Sequence, residues 1–445
     1  MARSHESLVA GLAELIAIPS VSADPAHGDD VLRAARWVVE RIREAGGDAE
    51  VVDWHGSPLA IGEVRASREP ESAPTVLCYA HFDVQPPDPL ALWESSPFAL
   101  TERDGWLVAR GVADDKGHLF MLLEAARSLA VAGELPVNVR FACDGEEETG
   151  GSSIVDWLAA DVRGADVAIV LDGMMLRRDM PSLEIGLRGV CYFHVIVRTG
   201  ERDLHSGMYG GVALNALHAL NRALTGVLAG PDGRLPEPLR VGIAAPTDVE
   251  LQGWSTLPDP SDEMAGQGAR PLDARAIEEF YTRTWAEPSV DVNGIEGGSA
   301  RLQKTVIPVE AVANVSLRLA PGQSPAVVAP AFERLLRAAA PEGADIQVDL
   351  WTSSEPSLVS VDSAAIRIAQ EALASSFGVR PLLIRTGGSI PIVTALSTLD
   401  IPAVVTGFAL SESNVHSPNE RIPAAYLDLG LATVCGLFRR FGELI

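Results

Sequence analysis

Positive charge is scarce in this chain: 35 lysines and arginines stand against 60 aspartates and glutamates, a formal net charge of −25. That balance argues against nucleic acid or anionic membrane as a partner, because both are bound through Lys and Arg contacts to phosphate. Cysteine is scarce as well. Cys78, Cys143, Cys191 and Cys435 each sit alone in an apolar run such as Val76-Leu77-Cys78-Tyr79. They read as buried free thiols, not as a disulfide framework or a thiolate metal site. No apolar stretch reaches the ~18–20 residues of a membrane span. The opening Met1-Ala2-Arg3-Ser4-His5-Glu6 lacks the basic-then-apolar pattern of a secretory leader, and there is no internal repeat. With 47% hydrophobic and 21% charged residues, a cytoplasmic globular enzyme is expected. At 445 residues the chain exceeds one ordinary core, so two domains are expected.

The organisation follows from the pattern of apolar residues. Helical spacing covers Leu8 to Ile16 and about Asp30 to Ala45, where Gly46-Gly47 stops the second helix. Short apolar runs then alternate with helices: Thr75 to Tyr79, the helix Lys116 to Ala132, Val137 to Cys143, the helix Ser153 to Ala160, and Val167 to Leu171. This alternation predicts an α/β domain, a mainly parallel sheet flanked by helices. From about Leu187 the pattern changes. Strands are expected at Val190 to Arg198, Ala311 to Leu319 and Asp345 to Trp351, with helices at Val212 to Leu224 and Pro325 to Ala340. They suggest an inserted α+β domain of two layers, an antiparallel sheet with two helices on one face. The expected division is 1–187 and 356–445 for the catalytic domain and 188–355 for the insert. The Pro-, Gly- and acid-rich stretch from Ala245 to Glu287 has no legible shape.

Five segments end in residues that a metal ion would want: Ala80-His81-Phe82-Asp83, Ala113-Asp114-Asp115-Lys116-Gly117, Glu146-Glu147-Glu148-Thr149-Gly150, Leu171-Asp172-Gly173 and Val415-His416-Ser417. Two imidazoles and several carboxylates make a mixed nitrogen/oxygen site for zinc or a similar ion. Most follow strand-like runs, and ligands gather at the carboxyl ends of strands in parallel sheets. An unpaired carboxylate there would cost several kcal/mol. Asp83, two residues after His81, is placed to hold the imidazole ring. In the glutamate triplet, a metal-bound acid beside a free one would provide a ligand and a general base, the pair that metal-assisted hydrolysis needs. The histidines at 5, 27, 55, 118, 194 and 218 have no such context and read as structural or surface residues.

Over nearly its whole length the chain resembles the co-catalytic di-zinc exopeptidases that include glutamate carboxypeptidase, aminoacylase and succinyl-diaminopimelate desuccinylase. It is most similar to the carnosinase and nonspecific dipeptidase branch. The strings that carry the likeness are His81-Phe82-Asp83-Val84-Gln85-Pro86, Trp93-Glu94-Ser95-Ser96-Pro97-Phe98, Arg110-Gly111-Val112-Ala113-Asp114-Asp115-Lys116-Gly117, Arg202-Asp203-Leu204-His205-Ser206-Gly207 and Asn414-Val415-His416-Ser417-Pro418-Asn419-Glu420. The resemblance implies two Zn2+ per subunit, with Mn2+ or Co2+ as substitutes. His81 and Asp172 would bind one ion, Glu148 and His416 the other, and Asp114 would bridge them through a loop whose Asp114–Asp115 peptide is cis.

The same likeness makes Glu147 the general base, with Asp83 supporting the catalytic site, and leaves Glu146 as an extra, exposed acid. It makes His205 an oxyanion donor delivered across a homodimer from the other subunit, and the insert a lid and dimerisation domain. Arg318, Thr305, Gly388 and Ser389 would contact a small peptide substrate. Alternation places Asn314, Ser316 and Arg318 on one strand face, where a guanidinium can grip a carboxylate bidentately. Ser299 departs from the aromatic residue common in relatives. The expected activity is hydrolysis of dipeptides or short peptides with a free C-terminal carboxylate. The alternatives are an N-acyl-amino-acid amidohydrolase and, remotely, a non-catalytic binding homologue.

Overall fold

The computed structural model describes residues 4–388 and 390–444. The chain divides into two compact units, one from Met1–Ile185, Val359–Leu383 and Pro391–Ile445, the other from Gly186–Leu358 and Ile384–Ile390.

In the first unit the middle of the sheet is parallel. The strands Asn138–Asp144, Thr75–His81, Val167–Leu171 and Ala403–Thr406 lie side by side in that order. A hairpin of Asp48–Trp54 and Ser57–Val64 extends it antiparallel on the Asn138–Asp144 side. The inner strands are buried at nearly every position, Val167–Leu171 throughout, as expected of strands covered on both faces. Covering helices include Gly28–Glu44, with an apolar stripe of Val31, Ala34, Ala35, Val38, Val39 and Ile42, and Lys116–Val131, which is buried almost all round. A helix apolar on every side belongs inside; His5–Ile16, Gly28–Glu44 and Ala425–Phe441 all pack against this one. The four parallel strands end at one edge, and His81 is the last residue of its strand.

In the second unit the sheet order is Ser289–Glu296, Glu310–Leu319, Gly189–Arg198, Asp345–Ser354, all antiparallel. Strict alternation along Gly189–Arg198 turns Cys191, Phe193, Val195 and Val197 into a core with the helices Ala216–Thr225 and Pro325–Ala339. The first of these helices starts four residues later than the apolar spacing suggests. Asn215 is its cap, accepting from the N–H groups of Leu217 and His218, so a capping side chain overrode the apolar Val212 and Leu214. The stretch that was illegible in sequence holds three short helices, Asp248–Trp254, Pro260–Gly266 and Phe280–Trp285. Among the described residues no helix is long and apolar enough to cross a membrane.

Candidate metal centre

The first unit gathers the histidines and acids of the five segments at the carboxyl edge of its sheet. His81 ends the strand Thr75–His81 and Asp172 directly follows Val167–Leu171. Asp114 lies in the loop before the helix Lys116–Val131, and its peptide bond to Asp115 is cis. That loop closes tightly: a Cβ on Gly117 would stand 2.0 Å from the Val112 carbonyl oxygen, so only glycine fits. Glu147 and Glu148 occupy a single 3-10 turn, Glu147–Thr149, after the strand Asn138–Asp144. His416 has φ 61°, an uncommon left-handed backbone for a side-chain-bearing residue, of the kind found at functional sites.

Two donor groups result, and they overlap. His81, Asp114 and Asp172 form one; Asp114, Glu148 and His416 form the other; within each group the donor atoms lie within 4.8 Å of one another. Nε2 of His81 is 3.0 Å from Asp114 Oδ1 and 3.9 Å from Asp172 Oδ1. Nε2 of His416 is 3.0 Å from Asp114 Oδ2 and 3.1 Å from Glu148 Oε2. Asp114 therefore turns one oxygen to each histidine, and it alone is common to both groups.

The surroundings hold these donors in place. Nδ1 of His81 faces the Asp83 carbonyl at 3.1 Å and its carboxylate at 3.3 Å, which leaves Nε2 directed at the acids. The other Asp83 oxygen accepts from the Ser22 hydroxyl and the Glu148 N–H. Gln85 grips Glu148 at both oxygens, through its N–H at 3.1 Å and its amide at 2.8 Å. Asp115 accepts from the His81 N–H and pairs with His118 Nδ1 at 2.7 Å. His118 Nε2 in turn accepts from the Phe408 N–H, so this buried ring is neutral, and burial holds its pKa down at about 4. Glu146, expected to be exposed, is half-buried; its carboxylate accepts from Ser153 N–H at the start of the helix Ser153–Ala160. The partners of Gln85 and His118 were not legible in the sequence: Gln85 lies inside a motif string, but Glu148 and Phe408 are distant in the chain.

Electrostatics fit a divalent cation. Burial raises the Asp172 carboxyl well above its usual range, with Asp115 and Asp114 adding to the rise. Burial also raises Glu147, as do the neighbouring Glu148, Asp114 and Asp83 carboxylates. Contacts with Asp114 and Glu148 push His416 up to about 10. Burial opposes charge on His81, yet its acid neighbours hold it well above the ordinary imidazole value. Asp114 goes the other way: despite its burial, contacts with His416 and His81 hold its carboxyl below the ordinary value. Asp172 and Glu147, which resist ionising, and imidazoles that retain protons mark a cluster short of positive charge. The oxygen-and-imidazole donor set suits Zn2+ and similar ions. Glu147, by contrast, accepts no side-chain hydrogen bond among the described residues.

The other singled-out residues belong to the second unit. His205 and Thr305 become neighbours because the short strand Leu204–His205 pairs with Val306–Ile307, and Ser206 N–H donates to the Thr305 carbonyl. His205 is exposed, and its Nδ1 accepts from Gly207 N–H at 3.1 Å, so Nε2 carries the proton and is the donor. Arg318 shares a half-buried strand face with Asn314 and Ser316. Gly388 is exposed, its N–H donating to the Thr386 hydroxyl. Ser389 lies outside the described residues.

A mainly parallel α/β sheet with two candidate donor groups sharing one carboxylate has the form of a metal-dependent hydrolase. The chain belongs to peptidase family M20/M25/M40, whose model matches residues 77–440. It is 31% identical to the cysteinylglycine-S-conjugate dipeptidase of Corynebacterium striatum, covering 94% of this chain and 92% of that one. It is 29% identical to the β-Ala-His dipeptidase of Rattus norvegicus, over 94% and 89% of the two chains. Among solved structures it resembles the M20 metallo-carboxypeptidase Sso-CP2 of Sulfolobus solfataricus, at a TM-score of 0.82 and 26% identity over 98% and 99%.

Proposed function

We propose that this protein is a two-zinc dipeptidase, cleaving dipeptides or short peptides that end in a free carboxylate. The observation that carries this reading is Asp114, shared by two donor groups, with Glu147 feeling the charges of His81, Asp114 and Glu148 and its carboxylate accepting no hydrogen bond among the described residues. Both similar relatives are named for dipeptide substrates. A cation held by His81, Asp114 and Asp172, and a second held by Asp114, Glu148 and His416, would polarise the scissile carbonyl and acidify a water. Glu147 takes that water's proton on its carboxylate and returns it to the leaving amine nitrogen. Its raised pKa suits both halves of the transfer. Asp83 keeps the His81 ring in the tautomer that points Nε2 at the acids.

In this reading the Arg318 guanidinium binds the substrate carboxylate, with Thr305, Gly388 and Ser389 completing the contacts. His205 donates its Nε2 proton to the developing oxyanion, acting from the partner subunit of a homodimer. The four cysteines are free thiols, which agrees with a reducing, cytoplasmic setting. The test is a hydrolysis panel of dipeptides, the same dipeptides amidated at the C-terminus, and N-acetyl and N-succinyl amino acids. Dipeptides are expected to be cleaved fastest. Amidation should cost about 10–100-fold in kcat/KM, matching the ~1.5–3 kcal/mol of one charged hydrogen-bonding partner. Faster turnover of N-acyl amino acids would assign the protein to amide deacylation instead.

A further inference from the structure

Glu420 is a fully buried carboxylate that the proposed chemistry does not use. It follows His416 by four residues and leads into the short strand Arg421–Pro423, which pairs with Trp106–Val108. That pairing sets it against the loop that presents Asp114. Its Oε1 accepts from Ala113 N–H at 2.8 Å and from Asp114 N–H at 3.1 Å. Its Oε2 accepts from Gly111 N–H at 3.0 Å and from Arg110 Nη1 at 2.7 Å. Three amides of one loop and one guanidinium thus converge on one acid. Arg110 is itself buried, lies against the Trp93 ring at 5.6 Å, and donates from Nη2 to the Pro86 carbonyl at 3.2 Å. Pro86 adjoins Gln85, the residue that grips Glu148 at both oxygens.

We infer that Glu420 is a positioning residue for one of the two metal positions, the one made by Asp114, Glu148 and His416. It reaches all three donors: Asp114 through its own backbone amide, His416 through four residues of chain, and Glu148 through Arg110, Pro86 and Gln85. The other position is tied to it through the shared Asp114 and, one residue further on, through Asp115, and has further supports of its own. His81 is fixed by Asp83 and Asp115, and the turn carrying Asp172 by Gly173 N–H bonded to the Thr406 carbonyl. Glutamine at 420 would keep the volume but set an amide N–H against donors that need an acceptor, loosening one side of the centre.

This inference rests on the two-metal reading, and its test separates the two. Stripped native protein and Glu420→Gln are titrated with Zn2+ against a chromophoric chelator, and with Co2+ followed by its visible absorption. Native protein should take up two equivalents. Glu420→Gln should bind one of them about 10–100-fold more weakly, as for loss of an outer-shell partner, and the other within a few-fold of native. The same change made in a His416→Ala background should add little, because that position is already broken. Glu124→Gln, at a buried acid paired with Arg127 on the helix Lys116–Val131, should leave both equivalents unchanged. Should Glu420→Gln not fold, Arg110→Lys replaces it; it keeps a charge by Glu420 but cannot also reach Pro86, and the same single-equivalent loss is expected. Native-like binding of both ions, or equal loss of both, overturns the role of Glu420. Fewer than two equivalents in the native protein defeats the two-metal reading and this inference with it.

Discussion

Three adjacent glutamates end up with three different surroundings. Glu146 accepts from Ser153 N–H at a helix start, Glu148 is clasped by Gln85 and faces His416, and the Glu147 carboxylate accepts no hydrogen bond among the described residues. The family likeness assigns them different roles from the sequence, and their different partners agree with that assignment. A carboxylate already committed to donors is a poor proton carrier, whereas one with free lone pairs and a raised pKa can take and return a proton. Glu147→Gln should therefore retain two equivalents of metal while hydrolysis falls by about 10²–10⁴-fold, some 3–5 kcal/mol in barrier. Glu148→Gln should lose metal instead. Elemental analysis of zinc per chain, run beside the rate assay, checks both. Zinc lost from Glu147→Gln and kept by Glu148→Gln would put the base and the ligand one residue out of register.

At the scale of elements, the second unit depends on an ion pair that no periodicity could reveal. Arg385 and Glu250 are both 1% exposed at the side chain and meet at 2.6 Å. Arg385 also donates to the Ala244 and Ala245 carbonyls and lies over the Trp254 ring. Glu250 is at the same time the third residue of a capping box with Thr247. One buried acid thus starts the helix Asp248–Trp254 and anchors the segment Ile384–Ile390, which carries Gly388. Removing one partner strands a buried charge, at a cost of about 3–5 kcal/mol. Glu250→Ala should lower the melting temperature by on the order of 10 °C, and the double change Glu250→Ala with Arg385→Met should recover part of it. Thermal unfolding by circular dichroism measures both. A change of less than about 2 °C in Glu250→Ala would show that the pair contributes little.

For the whole molecule, the boldest consequence of the proposed function is that a complete site needs two chains. His205 sits exposed, and its Nε2 has no hydrogen-bond partner among the described residues; oxyanion donors of this kind are worth about 10²–10³ in rate. Mixing inactive His205→Ala with inactive Glu147→Gln, under conditions that exchange subunits, should restore activity. Each heterodimer would hold one site with both residues intact, approaching half the native rate per dimer. Exchange without recovery would show that His205 acts within its own chain or not at all. How much of this was written in the sequence depends on range. The parallel α/β sheet follows from alternating runs, since each strand's burial is a local matter of period and length. The candidate donors stood out because imidazoles and acids clustered in short strings, mostly after strand-like runs, and the family likeness sorted them into two groups, which the structure brings together. Tertiary structure alone decided what a string cannot encode. It paired Glu420 with amides more than three hundred residues earlier in the chain. It gave the Ala245 to Glu287 stretch its helices and brought Ile384–Ile390 into the second unit. Those contacts join residues distant in the chain, and their energy comes from burying charge against a particular partner, which periodicity does not record.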